Sequence, residues 1–256
     1  SGPHGGPLAS ELPIQDLLEC KINGVEICDG VEFYEMITGK LIVERINPSW
    51  LIFSDGFRTS YFMRFFKRIV DLFCALVGLM VLSPLIMLVA VFIKLDSRGG
   101  VFFKQERVGR FEKPFVLYKF RSMRVDAEKE SGPVWAEGAD PRITRIGRII
   151  RKTRIDEIPQ LWNVLKGEMS IVGPRPERAF FVSQLKQKIP YYAQRFYVKP
   201  GLTGWAQIRF SYGASEEDAA EKLRHELYYI KNMSIFLDII IILGTLKIVV
   251  LGRGAQ

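Results

Sequence analysis

An uncharged stretch of 22 residues between Asp71 and Lys94 constrains the fold of this chain more than any other feature. It has the sequence LFCALVGLMVLSPLIMLVAVFI. A helix rises 1.5 Å per residue, so this stretch would be about 33 Å long, enough to cross a bilayer core of about 30 Å. The stretch therefore predicts a membrane segment, with the core helix of a soluble protein as the alternative.

Two features of this segment argue against a simple membrane span. Pro84, in the middle, cannot donate a hydrogen bond to the carbonyl of Met80, so a kink is expected at Ser83-Pro84, and the Ser83 hydroxyl can satisfy the freed carbonyl. Under the positive-inside rule, positive charge at both ends places both ends in the cytoplasm. We therefore predict a re-entrant helix over about residues 67–96, in preference to a span. The flanking cations are Arg64, Lys67 and Arg68 before the segment, and Lys94 and Arg98 after it.

The composition narrows the possible functions. The chain has 256 residues and a net charge of +8, which favours anionic partners such as nucleic acid, anionic lipid or phosphorylated ligands. Cys20, Cys28 and Cys74 are too widely spaced for a disulfide framework or a zinc site. With only His4 and His225 in the sequence, histidine-based catalysis is not expected. Unpaired cysteines without a secretory signal predict a cytoplasmic location for the soluble part.

The first quarter of the chain predicts little independent structure. Residues 1–10 (SGPHGGPLAS) are typical of an expression-tag remnant. In the following segment we expect a turn at Asn23-Gly24 beside a short strand within residues 22–27, a short helix over 32–37 and a short strand over 51–53. A few short elements like these make a poor independent core. Residues 11–62 are therefore interpreted as the tail of a truncated N-terminal domain. Residues 63–256 then form the second domain.

The segment after the membrane helix predicts a hairpin, a loop and two helices. Two runs rich in Val, Phe and Tyr, joined by a turn at residues 109–113, predict a β-hairpin over residues 100–124. The polar residues 126–140 predict a loop. Asp140-Pro141 resembles a helix start, and that helix should end near Asp156 because Pro159 disfavours a helical residue before it. A second helix is expected over residues 160–166, ending at Gly167.

The first of these two helices has an apolar face of isoleucines and a basic face. A solvated surface could explain the basic face, but five cations without interleaved acids favour a lipid headgroup surface or a bound diphosphate. The isoleucines are Ile143, Ile146, Ile149 and Ile150, and the cations are Arg142, Arg145, Arg148, Arg151 and Lys152.

Phosphate chemistry is indicated by two adjacent carboxylates, Asp156 and Glu157. Side by side they repel, which suits a site where a metal cation supplies compensating positive charge and nearby arginines hold phosphates. In the sequence GPRPE, two prolines stiffen the backbone around Arg175. This reduces the entropy lost when its guanidinium binds a phosphate, although a rigid surface turn would have the same sequence.

Residues 200–208 predict a glycine-rich turn that leads into a strand. The apolar residues 235–251 predict a helix in the membrane interface or packed on the first membrane helix, rather than a second span, because Asp238 and Lys247 interrupt them.

Taken together, these motifs resemble the monotopic phosphoglycosyl transferases, the bacterial sugar transferase family of undecaprenyl-phosphate hexose-1-phosphate transferases. The resemblance begins near Met63 and continues to the end of the chain. Residues 11–62 resemble the end of the regulatory domain that precedes the catalytic domain in long members. The matching segments are 67–84, 101–109 (VFFKQERVG), 118–123 (YKFRSM), 151–167, 170–177 (SIVGPRPE), 200–207 and the C-terminal apolar segment.

The resemblance implies an α+β, mostly helical fold: a monotopic membrane protein with a Ser-Pro-broken re-entrant helix, a small β-hairpin and interfacial amphipathic helices. It implies a bacterial inner-membrane protein whose catalytic domain faces the cytoplasm. Long members also suggest a homodimer, while the oligomeric state stays open.

The resemblance also implies a two-step reaction with Mg²⁺. Asp156 corresponds to the nucleophile that attacks a UDP-sugar, and UMP leaves. Undecaprenyl phosphate then takes the phosphosugar from the carboxylate. Glu157 corresponds to the partner of Asp156, with a role in positioning the metal or assisting proton movement. Arg151 and Arg175 correspond to residues that contact phosphates. Arg154 stands where many members carry serine or another small residue.

Three functional hypotheses follow, in order of preference. The first is the sugar-phosphate transferase, whose product would enter exopolysaccharide or O-antigen assembly and whose sugar the sequence leaves open. The second is a non-catalytic membrane-associated scaffold, which the intact Asp-Glu pair argues against. A nucleic-acid binder is third, because the basic residues lack accompanying exposed aromatics or a known binding module.

Overall fold

The computed structural model describes residues 13–43, 60–125, 141–210 and 215–250. The chain divides into two compact units, residues 1–39 and 40–256. In the first unit, helix α1 covers Ile14–Ile22 and helix α2 covers Gly30–Thr38, which confirms the helix predicted over residues 32–37. The Asp29 side chain caps α2 by accepting a hydrogen bond from the Glu32 amide at 2.7 Å. Residues 1–10 and 51–53 lie outside the described residues.

The turn predicted at Asn23-Gly24 is confirmed, but the strand predicted beside it within residues 22–27 is wrong. Ile22 is the last residue of α1, and Asn23-Gly24 forms the turn that follows it. A strand requires a partner for its backbone groups, and none of the described residues pairs with this segment. The domain boundary placed after residue 62 stays a prediction, although Leu41 and Val43 already pack into the core of the second unit.

Helix α3, Tyr61–Asp96, is the 36-residue helix that contains the uncharged stretch. The Ser60 hydroxyl caps it by accepting from the Met63 amide at 3.1 Å. The helix continues through Pro84, and the Ser83 hydroxyl donates to the Met80 carbonyl at 2.8 Å, as predicted. Within the described part of the chain, α3 alone is long and apolar enough to cross a membrane, and only 11% of its most apolar window is buried. The break and re-entry stay a prediction.

The predicted hairpin is confirmed. Strand β1, Phe102–Val108, pairs in antiparallel register with strand β2, Pro114–Phe120. A 3-10 turn, Arg110–Glu112, joins them, and Phe111 and Glu112 both have positive φ angles, 54° and 59°.

Helix α4, Arg145–Lys152, begins later and ends earlier than predicted. Asp140 lies outside the described residues, and the observed cap is Thr144, whose hydroxyl accepts from the Gly147 amide at 2.9 Å. The helix cannot start at Pro141, because Ile143 forms an antiparallel bridge with Met123. The predicted loop over residues 126–140 also lies outside the description.

The apolar face predicted for α4 is only partly buried. Ile150 is buried and Ile146 is half-buried, both against the C-terminal half of α3, while Ile149 is exposed. Ile143 precedes the helix.

The end of α4 differs from the prediction because Arg154 adopts a left-handed conformation with φ 56°. The chain then forms a separate 3-10 turn, Ile155–Glu157. Helix α5, Gln160–Lys166, follows and ends at Gly167 with φ 84°, as predicted.

The second small sheet was not predicted. Strand β3, Ser170–Val172, pairs in parallel with strand β4, Gly201–Thr203. The strand expected after the glycine-rich turn is wrong, because the turn itself forms β4 and the following residues form helix α7, Trp205–Arg209. Gly201 is required here, since an added Cβ would lie 2.1 Å from the backbone nitrogen of Gly173.

Three further helices complete the second unit: α6 (Ala179–Lys188), α8 (Glu216–Lys231) and α9 (Ile235–Val250). Helix α8 starts with a capping box formed by Ser215 and Asp218, and it contributes Leu223 and Leu227 to the core. Helix α9 packs on α7 and on strands β3 and β4, and its placement against α3 or in the membrane interface stays a prediction. Lys67 of α3 forms a 2.6 Å ion pair with the buried Asp238 of α9.

Candidate active site

Asp156 and Glu157 lie together in the 3-10 turn between α4 and α5. The left-handed residue Arg154 ends the preceding helical segment, so the two carboxylates occupy a tight turn rather than a helix face. The Glu157 side chain points into the protein and is buried, whereas Asp156 is half-buried. The two adjacent acids therefore experience different environments, a common basis for dividing chemical roles.

Glu157 is held by two cations from distant parts of the chain. Its Oε1 atom accepts a hydrogen bond from Lys119 Nζ at 2.8 Å and another from Arg175 Nη2 at 2.8 Å. Burial alone would raise the pKa of the Glu157 carboxyl, but Arg175 and Lys119 outweigh it and hold that pKa well below its usual range. Glu157 is therefore ionised and fixed in position at neutral pH.

Asp156 differs from its neighbour in both pKa and contacts. Burial raises the pKa of the Asp156 carboxyl, the charge on Glu157 raises it further, and Lys119, Arg175 and Arg151 oppose this rise. None of the described residues donates a hydrogen bond to the Asp156 carboxylate. A partly desolvated carboxylate without a fixed donor is a stronger nucleophile than one held by hydrogen bonds.

Lys119 was missed as a site residue, although the motif YKFRSM contains it. Its place on β2 is set by Asn163 of α5, which is fully buried. The Asn163 side chain accepts from the Tyr118 amide at 3.1 Å and donates to the Val116 carbonyl at 2.6 Å. These two bonds tie β2 to the helix that follows the acidic pair, so Lys119 reaches Glu157.

The loop that carries Arg175 is anchored by a buried ion pair that the sequence did not reveal. Arg195 and Glu226 contact each other at 2.8 Å, with only 4% and 6% of their side chains exposed. Glu226 accepts from the Arg175 amide at 3.3 Å, and Arg195 donates to the Arg175 carbonyl at 2.8 Å. Both backbone groups of Arg175 are thus held, which directs its side chain at Glu157.

Additional positive charge surrounds this loop. Arg107 donates to the Pro176 carbonyl at 3.1 Å, and burial lowers the pKa of its guanidinium to about 10, with Arg175 and Arg178 adding to that effect. Glu177 forms a 3.7 Å ion pair with Arg107 and opposes the lowering of its pKa, so part of this positive charge is already neutralised within the protein.

The structure brings four of the predicted site residues near one another. Asp156, Glu157 and Arg175 form one group, and Arg151, half-buried in the last turn of α4, acts electrostatically on Asp156. Ser83 and Pro84 lie apart in α3, and their role as a break in the membrane helix stays a prediction. The arrangement places several cationic side chains beside a carboxylate that accepts no hydrogen bond from the described residues.

A divalent metal fits this site only with help from a substrate. Across the described ranges, no three His, Cys, Asp or Glu side chains form a cluster that could hold a metal ion. One oxygen of Glu157 already accepts from two cations, which leaves Asp156 and the other Glu157 oxygen as protein ligands. Mg²⁺ commonly binds one or two carboxylates together with substrate phosphates, and the acidic pair suits that mode.

Comparison with known proteins gives one matching family model. The model described as "Bacterial sugar transferase" matches residues 62–252. That range contains all of α3 except its first residue, the hairpin, the acidic pair and the loop that carries Arg175.

Curated relatives have similar names. Over 240 residues the chain is 40% identical to an Aeromonas hydrophila protein named UDP-N-acetylgalactosamine-undecaprenyl-phosphate N-acetylgalactosaminephosphotransferase, covering 94% of this chain and 56% of that protein. It is 46% identical to a Rhizobium leguminosarum bv. phaseoli exopolysaccharide production protein, covering 70% of this chain and 92% of that protein. An Escherichia coli K12 protein named UDP-glucose:undecaprenyl-phosphate glucose-1-phosphate transferase is 41% identical, covering 71% of this chain and 39% of that protein. The chain thus spans little more than half the length of the first of these relatives.

Proposed function

Since the chain belongs to the bacterial sugar transferase family, we propose that it transfers a hexose-1-phosphate from a UDP-sugar to undecaprenyl phosphate and releases UMP. The observation that carries the proposal is the contrast within the acidic pair. Glu157 is fixed by Lys119 and Arg175, whereas Asp156 has a raised pKa and no hydrogen-bond donor among the described residues. The names of the relatives support the substrates.

The proposed reaction has two displacements at one phosphorus atom. An Asp156 carboxylate oxygen attacks the sugar-proximal phosphorus, and the bond to the bridging oxygen breaks, so UMP leaves with the electron pair. A phosphate oxygen of undecaprenyl phosphate then attacks the same phosphorus and displaces the Asp156 carboxylate. The products are UMP and undecaprenyl diphosphate hexose, and no proton transfer to carbon is needed.

The cations supply most of the assistance in this scheme. Phosphoryl transfer depends mainly on positioning and on neutralising charge. Arg175 and Arg151 would bind the diphosphate, and Glu157 keeps Arg175 and Lys119 in place beside the nucleophile. Mg²⁺, held by the acidic pair and by substrate oxygens, would neutralise further charge on the leaving UMP.

We also propose that both ends of α3 lie on the cytoplasmic side of the bacterial inner membrane. Arg68, near the start, donates to the Val164 carbonyl at 2.7 Å. Arg121 donates to the carbonyls of Ser97 and Arg98, at the other end, at 2.7 and 2.8 Å. Because one folded unit binds both ends, the apolar middle would enter the bilayer and return on the same side.

Labelling of single cysteines tests this topology. In a background with the three native cysteines replaced, Tyr61→Cys and Arg98→Cys should both react with an impermeant maleimide in inverted vesicles. Reaction of only one of them in sealed inverted vesicles would contradict the re-entrant arrangement.

The function is tested by measuring UMP release from purified protein with undecaprenyl phosphate and Mg²⁺. The donors should include UDP-glucose, UDP-galactose and UDP-N-acetylgalactosamine. We expect release with at least one donor, loss of release with EDTA, and no release by Asp156→Asn. Full activity in Asp156→Asn would refute the assignment, and inactivity with every donor would favour the scaffold alternative.

A further inference from the structure

A second group of cations lies at the opposite end of α5 from the acidic pair. Lys199 precedes β4 and is half-buried. An added Cβ on Gly167 would lie 3.5 Å from Lys199 Nζ and 3.4 Å from Arg68 Nη2. The Arg68 guanidinium is fixed beside Lys199, because it donates to the carbonyls of Val164 and Leu165 at 2.7 and 2.8 Å. Gly167 ends α5, so the seven residues of that helix separate this group from the turn that carries Asp156.

The acids near this group are already committed to other partners. Asp238 pairs with Lys67 at 2.6 Å. Asp71 accepts hydrogen bonds from the Ser170 hydroxyl at 2.9 Å and from the Ile171 amide at 2.8 Å. Lys199 has no hydrogen-bond partner among the described residues. Arg68, Arg110 and Lys67 act electrostatically on Lys199 and, within the described ranges, only Asp71 opposes them, so this half-buried ammonium group favours a bound anion.

Arg110, at the tip of the hairpin, also belongs to this group. It acts electrostatically on Lys199, and its Nε donates to the Tyr197 carbonyl at 3.1 Å. Burial lowers the pKa of Arg110, and the charge of Arg64 at the start of α3 lowers it further. The hairpin tip and the beginning of the membrane helix therefore contribute charge to the same face.

Exposed aromatic side chains accompany these cations. Phe111 is 58% exposed although its backbone is held at a positive φ of 54°, and the Arg110 guanidinium stacks on its ring at 4.4 Å. Residues held in strained backbone conformations cluster at functional sites. Aromatic and basic residues together are typical of the membrane–water interface. The other exposed rings are Tyr197 and, in the first turns of α3, Tyr61, Phe62, Phe65 and Phe66.

We propose that Lys199, Arg68 and Arg110 form a binding site for the phosphate group of an anionic bilayer phospholipid, separate from the Asp156 site. The exposed aromatics place the site at headgroup depth, which favours a bilayer lipid over free phosphate. A lipid bound there would fix the unit at one depth and tilt relative to the bilayer. This inference does not depend on the proposed reaction.

The test measures lipid binding to the purified full chain in a neutral detergent. Native mass spectrometry would count adducts of phosphatidylglycerol and, separately, of phosphatidylcholine. We expect a preference for phosphatidylglycerol that Lys199→Gln weakens about fivefold, the factor that corresponds to about 1 kcal/mol per basic residue at an anionic lipid surface. Arg110→Gln should weaken it similarly.

Lys188→Gln is the matched control, because it removes the same charge from a 53% exposed lysine paired with Glu216 on another surface. The control should leave phosphatidylglycerol binding unchanged. Equal weakening by Lys188→Gln and Lys199→Gln would show that net charge attracts the lipid and would overturn the proposal. So would equal binding of the two lipids, or complete displacement of phosphatidylglycerol by millimolar inorganic phosphate.

Discussion

Glu226→Gln tests whether the buried pair behind Arg175 holds the site together. The substitution keeps the size of the side chain but removes the charge opposite Arg195, whose side chain is only 4% exposed. Breaking one partner of a buried ion pair costs about 3–5 kcal/mol, because the remaining charge stays buried without compensation. The amide also accepts more weakly from the Arg175 backbone, so the loop should lose its fixed orientation.

The assay is chemical denaturation of the detergent-solubilised protein, followed by tryptophan fluorescence. Glu216→Gln is the comparison, since it breaks an ion pair whose side chains are both 53% exposed and which should contribute at most about 1 kcal/mol. Glu226→Gln should lower the free energy of unfolding by at least about 2 kcal/mol more than Glu216→Gln. Equal effects of the two substitutions would refute the reasoning.

Three further predictions concern the acidic pair. Lys119→Met should lower kcat by about 10²-fold or more, because it removes a preorganised cation beside the reacting carboxylate, and steady-state UMP release measures this. The same variant should move the acidic limb of the kcat/KM–pH profile to higher pH, because Lys119 lowers the pKa of Asp156. An unmoved limb would argue against Asp156 as the titrating group. Asp156→Asn should abolish activity and raise Tm at neutral pH. The rise is expected because the folded state disfavours the ionised carboxyl of Asp156. Scanning fluorimetry measures Tm, and a lowered value would contradict this prediction.

The depressed pKa of Glu157 gives a stability prediction of opposite sign. Its ionised form is favoured in the folded state, so its contribution is complete above the ordinary glutamate pKa of about 4.3. That contribution is lost as pH falls below this value towards the folded-state pKa. Glu157→Gln should therefore flatten the acid side of the curve of unfolding free energy against pH, relative to the unsubstituted protein.

Local patterns in the sequence predicted the elements that depend on neighbouring residues. The hairpin followed from two β-rich runs around a turn, and the end of α5 followed from Gly167. The hydrogen bond from the Ser83 hydroxyl to the Met80 carbonyl followed from the serine that precedes Pro84, because proline cannot donate to that carbonyl. In each case the partners lie within about twenty residues of each other, so the local pattern contains the information.

Long-range contacts were not predictable in the same way. Glu226 and Arg195 are 31 residues apart, and Lys119 and Glu157 are 38 apart, so nothing local marks them as partners. The start of α4 was misplaced because the bridge between Met123 and Ile143 prevents a helix that the capping signal favoured. The glycine-rich turn was misassigned because it pairs with β3, which precedes it by about thirty residues.

The most direct test of the central claim is the mass of the protein after incubation with UDP-sugar and Mg²⁺, without undecaprenyl phosphate. The account predicts a mass increase of one phosphohexose, located on the peptide that contains Asp156 and absent in Asp156→Asn. Adding undecaprenyl phosphate should remove it. An active protein that never gains this mass, or that gains it on another residue, would contradict the assignment of Asp156 as nucleophile.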